Sequence, residues 1–510
     1  MNSSVAPFTD VAYTAGFYRE MAPSHVAFSA LVAGCAPGAA LQPRRMLELG
    51  FGQGFGLALL AAANPDIAFE GCDAGADNVA HAQRLVELAQ LENVTLARTD
   101  FEAPAAQDGD RDVDVVAMHG VLSWIADATR DAAIRIVGNR LRAGGLFYVS
   151  YNCMPGWAPI EPIRRLALAV KQRSGGDSLQ CLKTTLDILT GLRQGQAVYF
   201  AASAAAARHF DGMRAMDPRY LVHEYLSEHW QPLHFVDVAA QMAGAGLQYA
   251  ASATLTENLD QCSVPKDLLP MLAQTADPLL RETLRDFAAN KQFRRDVYMR
   301  GGRPLSADER RQAWAQIRFV LVVPRDRVTF KFLGPLTELN GNPLLYAPLV
   351  DRLERSAASF DELLSASALG EGRLGLLIEC LTLLVHSGQV LPVMTPALAD
   401  AAPARRFNRM LAEQARKGRV FDNLASPVLR TGIPVTDFGL LALSAVFEGK
   451  GHNTHAAAAH GLTVLKELGR RPLKNLEPIE GDNDAIDFLA EHMHPILDEA
   501  VPLWGLLGVL

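Results

Sequence analysis

The run MLELGFGQGFG, Met46 to Gly56, constrains the fold more than any other part of the chain. A β-prone pentad passes without a spacer into alternating glycines, Gly50, Gly52, Gly54 and Gly56, and then into an apolar, helix-prone stretch. Glycine is needed at such spacing where a strand hands over to a helix through a tight turn and the backbone must lie close to a ligand. The turn therefore predicts an α/β sheet with a binding site at the carboxyl end of its first strand.

The flanking pattern agrees. Strand-like runs at Arg45–Leu49, Ile67–Cys72, Val94–Arg98, Val113–Met118 and Leu146–Tyr151 alternate with helix-like runs at Phe55–Ala63, Asn78–Leu88 and Asp131–Leu141. Short strands separated by helices predict a doubly wound, Rossmann-like parallel sheet with right-handed crossovers. A helical insertion of about 160–225 breaks the alternation. A helix at His234–Gly244 and a strand at Leu247–Leu255 then complete a first domain over 1–257. At roughly 100–200 residues per domain, 510 residues leave room for more. Residues 258–315 read as a helical middle region and 316–395 as a winged-helix-like module. The proline-bracketed Pro396–Pro403 reads as a linker, and 404–510 as a mainly helical C-terminal domain.

A lone G-x-G-x-G could also hold a dinucleotide. Three details favour S-adenosylmethionine, with S-adenosylhomocysteine as product. The glycines follow an E-x-G strand end, so Glu48 orients the loop of Gly50, Phe51, Gly52 and Gly54 and the ligand's polar end. Strand two ends in Asp73, placed to accept ribose hydroxyls. Strand three is followed by Asp100 and Phe101, suited to an adenine amine and ring face.

Strand four runs into Met118-His119-Gly120-Val121-Leu122-Ser123-Trp124, and strand five into Ser150-Tyr151-Asn152-Cys153-Met154-Pro155-Gly156-Trp157. Carboxyl ends of parallel strands are where such sheets bind ligands. Tyr151, Asn152 and Trp124 are the catalytic candidates, shaping an aromatic acceptor channel, with Trp157 and Ser123 as substrate contacts. His119 can be read as a base or, with Gly120, as a cofactor contact, and the contact is favoured. Tyr13, Tyr18 and His25 precede strand one and are placed to fold over the methionine portion.

With these residues in view, the chain resembles the bacterial class I methyltransferases that carry a methyltransferase regulatory region, including the rickettsial-type lysine methyltransferases of outer-membrane proteins. The resemblance rests on MLELGFGQG, HGVLSWI from His119, SYNCMPGW from Ser150, YTAGFYREMAPSH from Tyr13 and QFRRDVYMRG from Gln292. It is firm over 13–160 and looser beyond about 300. Phe51 stands where the family usually has Cys, and Ala74 to Asn78 replace a common D-x-S. The resemblance implies methyl transfer from S-adenosylmethionine and a protein-lysine acceptor, with outer-membrane proteins among the partners.

Composition narrows the partners. Residues 1–150 hold 10 Arg, no Lys and 17 Asp and Glu, so nearly all of the net −8 sits there. That charge argues against nucleic acid and modestly for a cationic acceptor. The stretch LGLLIECLTLLVH, 374–386, is too apolar for a groove-reading helix and reads as core. No apolar run reaches the roughly 18 residues that span a bilayer, so no membrane insertion is expected. Six scattered cysteines and the absence of a signal-like N-terminus fit a reducing cytosol. No metal is expected either, because His452, His455, His460, His492 and His494 lack ligand spacing and read as exposed helix histidines. Arg294 and Arg295 read as a solvated or interdomain face. Two other functions fit the same motifs: a small-molecule N- or O-methyltransferase, and a non-enzymatic cofactor-sensing or interaction protein.

Overall fold

The computed structural model describes residues 16–103, 109–367, 373–394, 400–419 and 421–510. Tyr13 and residues 396–399 of the expected linker lie outside these.

Seven strands form one sheet: β1 Arg45–Leu49, β2 Ala68–Asp73, β3 Val94–Arg98, β4 Val113–Met118, β5 Leu141–Asn152, β6 Leu247–Ser252 and β7 Phe293–Arg300. Their order is β3-β2-β1-β4-β5-β7-β6, with β1 to β5 parallel and β7 antiparallel to both neighbours. The doubly wound, Rossmann-like expectation thus holds for the first five strands. Strand β4, VDVVAM, is buried at every position, as a central strand covered on both faces must be.

One expectation fails within the sheet. Residues 258–315 were expected to be helical, yet β7 lies in that stretch and pairs with β5 from Leu146↔Met299 to Asn152↔Phe293. The sheet therefore does not end at 257. Charged Arg294 and Asp296 hide the strand in the sequence, because they are buried against helix Pro278–Ala289 rather than solvated.

Helix α1 (Pro23–Val32) precedes the sheet, α2 (Phe55–Ala63) follows the glycine turn and α3 (Ala76–Ala89) follows β2. Helix α2 is buried at every residue but Gly56. A helix apolar on all sides must be covered on all sides. The sheet covers one side and the C-terminal region the other, where Phe407 and Phe421 stand 6.2 and 5.0 Å from the Phe55 ring.

The insertion is helical, as expected. Its five helices between Glu161 and Leu226 share a core of Trp157, Phe200, Phe210, Tyr225 and Trp230. Over 316–395, a three-stranded antiparallel sheet centred on Arg318–Leu321 packs with helices Pro343–Arg355, Phe360–Ala366 and Leu374–His386. Leu377, Leu381 and Leu384 of the last helix are fully buried, in keeping with its reading as core. The final region is mainly helical, with helices Ala402–Ala415, Asp437–Phe447, Thr454–Glu467 and Asp482–Pro495. His460 is a correction: it is buried, with Ser444 Oγ at 2.9 Å and Lys450 Nζ at 3.3 Å. No helix among the described residues is long and apolar enough to cross a membrane, and no cluster of His, Cys, Asp and Glu there could hold a metal.

Candidate functional site

The turn between β1 and α2 has left-handed glycines at Gly50 (φ +75°), Gly52 (+57°) and Gly54 (+76°). A Cβ on Gly50 would stand 2.6 Å from Val121, and one on Gly54 would stand 2.3 Å from Ala82. Those two glycines serve packing. Over Gly52 there is open space, and that is where a ligand can lie against the backbone. Asp73, at the end of β2, fixes the turn from below. Its Oδ2 accepts the Gly52 N–H at 2.9 Å, and its Oδ1 accepts from Gly75 N at 2.8 Å and Asn78 Nδ2 at 3.1 Å. A carboxylate has about four acceptor positions, so Oδ2 retains one for a ligand hydroxyl.

Glu48 lies one residue before the strand end, 5% exposed, and its Oε2 has no hydrogen-bond partner. Burial first, then the nearby Asp73, pushes its carboxyl up to about 8. A buried acid next to a second acid, with one oxygen unused, is suited to an ammonium. The amino group and ribose hydroxyls of S-adenosylmethionine match what Glu48 and Asp73 leave unsatisfied, so the residues present fit that cofactor.

This arrangement has a testable consequence. A carboxyl whose folded pKa is raised is protonated more readily in the folded state. Stability of the ligand-free protein is then lost as pH rises from the unfolded value, about 4.3, toward 8. Glu48→Gln should flatten that loss, read as Tm against pH, while weakening cofactor binding. A Tm–pH curve unchanged by the substitution would contradict the buried-acid assignment.

Two other expected cofactor contacts are placed differently. The Phe51 side chain turns inward, 7% exposed, into the core around Leu57, so only its backbone lies on the turn. Phe101 is likewise buried, in the cluster with Leu122 and Ile125, whereas Asp100 is exposed and accepts from Glu102 N at 3.1 Å.

At the ends of β4 and β5, His119 is the focus. Tyr18 stacks on its ring at 3.7 Å between centroids, and Phe293 meets it edge-on at 6.2 Å. The Tyr148 hydroxyl lies 2.8 Å from Nδ1, and Ser150 Oγ lies 3.2 Å from it. Two hydroxyls at Nδ1 favour the tautomer that keeps its proton on Nε2. Burial, with the Arg295 guanidinium adding to it, lowers the His119 pKa to about 3. An imidazole that weakly basic is neutral near pH 7. Gly120 (φ +63°) has open space above it, and its N–H donates to Ser150 Oγ at 2.8 Å.

The acceptor candidates divide. Ser123 is buried and receives the Asn152 N–H on its Oγ at 2.9 Å, clamping the loop after β4 to the end of β5. Asn152 shares a strand face with Ser150 and Tyr148 by the two-residue period. Tyr151 is on the opposite face and corrects the expectation: fully buried, it donates to Asp296 Oδ2 at 2.6 Å, within the layer between sheet and helices. Trp157 is also core, with its Nε1–H on Gln292 O at 2.9 Å. Trp124 is half-buried, edge-on to Trp230 at 6.5 Å.

Residue-level reading of the sequence missed Phe293, Arg295 and Glu20. Arg295 lies 5.0 Å over the Phe293 ring and 3.7 Å from Glu20, beside the Tyr18–His119 stack. Arg294, expected at a solvated face, is buried and paired with Asp296, Asp286 and Glu282 at 2.9, 2.5 and 3.0 Å. The signal lay in QFRRDVYMRG, whose alternation fits a strand once its charges are allowed inside.

Comparison with known proteins fits this geometry. Residues 47–147 match the family of methyltransferase domains, and residues 217–300 match the family described as a predicted methyltransferase regulatory domain. An uncharacterized protein of Synechocystis sp. is 28% identical over 502 residues, 98% of each chain. An uncharacterized protein of Rickettsia prowazekii is 25% identical over 299 residues, 56% of this chain and 51% of that one. Among solved structures, PKMT2 from Rickettsia typhi in complex with AdoHcy is similar with a TM-score of 0.68 at 16% identity, over 95% of this chain and 99% of that one. The regulatory match contains β6 and β7, so that region completes the sheet rather than hanging from it. Family and cradle chemistry agree: the chain is an S-adenosylmethionine-dependent methyltransferase that joins a methyltransferase domain to a methyltransferase regulatory domain.

Proposed function

We propose that the acceptor is a lysine side chain of a protein, N-methylated in the cytoplasm by direct in-line transfer. The observation that carries this reading is Glu224. Helix Pro218–Leu226 buries Leu221, Val222, Tyr225 and Leu226 in the insertion core. Tyr220 and Glu224, four residues apart, share the other face. Glu224 is 7% exposed, and the nearby Arg164 gives its Nη2 to Ser227 O at 2.5 Å. Burial lifts the Glu224 carboxyl to about 7. Tyr220 beside it is 46% exposed, and its hydroxyl is pushed up to about 12 by burial, then by Glu224 and Tyr18.

A buried carboxyl beside an aromatic ring suits an alkylammonium. Glu224 can hold the lysine ammonium and, with a pKa near neutrality, take its proton. The freed nitrogen lone pair then forms the new N–C bond as the methyl–sulfur bond breaks, its electron pair staying on sulfur. The bound cofactor supplies the activated methyl group. Tyr18, His119 and Phe293 hold the reactants in line, and alignment of this kind offsets roughly 7–11 kcal/mol of barrier. We read 316–395, with its winged-helix-like order, and 404–510 as docking regions for the protein substrate, with outer-membrane proteins as one substrate class. The whole-length likeness to PKMT2 supports this.

The test is transfer from methyl-labelled S-adenosylmethionine into a lysate of the source organism, followed by mass spectrometry of the labelled species. Methyl-lysine in a protein is expected. Label confined to small molecules would overturn the acceptor assignment. With the labelled protein as substrate, Glu224→Gln should raise its KM about tenfold, as expected for a lost charged hydrogen bond. It should also abolish the rise of activity through about pH 7 and leave cofactor affinity unchanged.

A further inference from the structure

The segment Gly16–Glu20 touches a different part of the molecule at almost every residue. Gly16 O and the Phe17 ring lie 3.6 and 3.9 Å from where a Cβ on Gly56 would stand, against the start of α2. The Phe17 ring also covers Gly432, in the hairpin Asn423–Ser426/Thr431–Pro434 of the C-terminal region. A Cβ on Gly432 would stand 2.6 Å from that ring. Tyr18 stacks on His119. Arg19 Nη2 reaches the carbonyls of Val385 and His386, each at 3.3 Å, at the end of helix Leu374–His386. Terminal carbonyls of a helix lack partners within it, and the helix dipole favours a cation there. Glu20 faces Arg295 of β7.

We propose that Arg19 and Phe17 are positioning residues for the cofactor site. Their anchors on the carbonyl end of helix Leu374–His386 and on Gly432 hold Tyr18 against His119. The two accessory regions therefore set cofactor affinity without touching the cofactor. By thermodynamic reciprocity, the cofactor in turn stiffens those anchors. This inference does not depend on the identity of the acceptor.

The full-length protein and AdoHcy suffice to test it. Arg19→Gln should raise the calorimetric Kd for AdoHcy about tenfold, the scale of one lost charge-assisted hydrogen bond. Arg19→Lys, which keeps the cation, should recover part of that loss. Gly432→Ala, far along the chain, should weaken binding in the same direction by displacing Phe17. In the wild type, AdoHcy should slow amide hydrogen exchange over 383–388, and Arg19→Gln should remove that protection. Wild-type Kd in both Arg19→Gln and Gly432→Ala, or exchange over 383–388 indifferent to AdoHcy, would overturn the proposal. If Arg19→Gln fails to fold by circular dichroism, Gly432→Ala and the wild-type exchange decide it.

Discussion

Asp73→Ala should raise the Kd for S-adenosylmethionine about a hundredfold, more than the loss of one hydroxyl contact would give. The carboxylate does two jobs. It keeps an acceptor position that a ligand hydroxyl can use, and it holds Gly52 N, Gly75 N and Asn78 Nδ2 on its two oxygens. Removing it leaves the turn without its tie, and the Gly52 backbone, which the ligand must approach, loses its fixed position. At about 1–3 kcal/mol for each charged hydrogen bond lost, two such effects together give the hundredfold scale. Asp73→Asn keeps the shape and part of the accepting capacity, so it should fall between. Calorimetry with S-adenosylmethionine measures both, and an Asp73→Ala protein that binds as tightly as the wild type would remove Asp73 from the cofactor site.

The second large effect is on stability. Arg294→Met should destabilise the fold by about 3–5 kcal/mol, since deleting one member of a buried ionic cluster strands the others. Asp296, Asp286 and Glu282 are 1%, 3% and 6% exposed, and the guanidinium also lies 4.2 Å over the Phe235 ring. Even with Arg294 present, burial lifts the Asp286 carboxyl to about 6. Without the arginine the Asp286 carboxyl should be protonated still more readily in the folded protein. The deficit should then shrink as pH falls from neutrality to about 5, where folding binds more protons than the unfolded chain does. Asp286→Asn added to Arg294→Met should restore part of the loss. Urea unfolding at the two pH values reads all three, and a deficit independent of pH would show that packing, and not charge, dominates.

What the sequence disclosed, and what it did not, follows from locality. The glycine turn was legible because positive φ at Gly50, Gly52 and Gly54 is a local demand that only glycine meets cheaply. The burial of Leu374–His386 was legible because a helix with a single formal charge has nowhere else to go. Strand β7 was not, because the groups that make Arg294 tolerable inside come from a helix eight and twelve residues upstream and from β7 itself. Pairing of that kind has no signature in a window. Tyr151 is a different case. The two-residue period of a strand already separates Tyr151 from Ser150 and Asn152, so placing Tyr151 and Asn152 in one channel conflicted with the pleat. Phe51 and Trp157 were read as ligand contacts from their neighbours, whereas the inner core claimed both rings.

Helix α2 begins at the glycine turn, and it has no solvent side. Its back wall is built by Phe407, Leu411, Phe421 and Leu424, more than 340 residues later in the chain. The sheet domain and the C-terminal region therefore share one core. A substitution in that wall acts on the packing of the helix that begins at Gly54, although it lies far away in the chain.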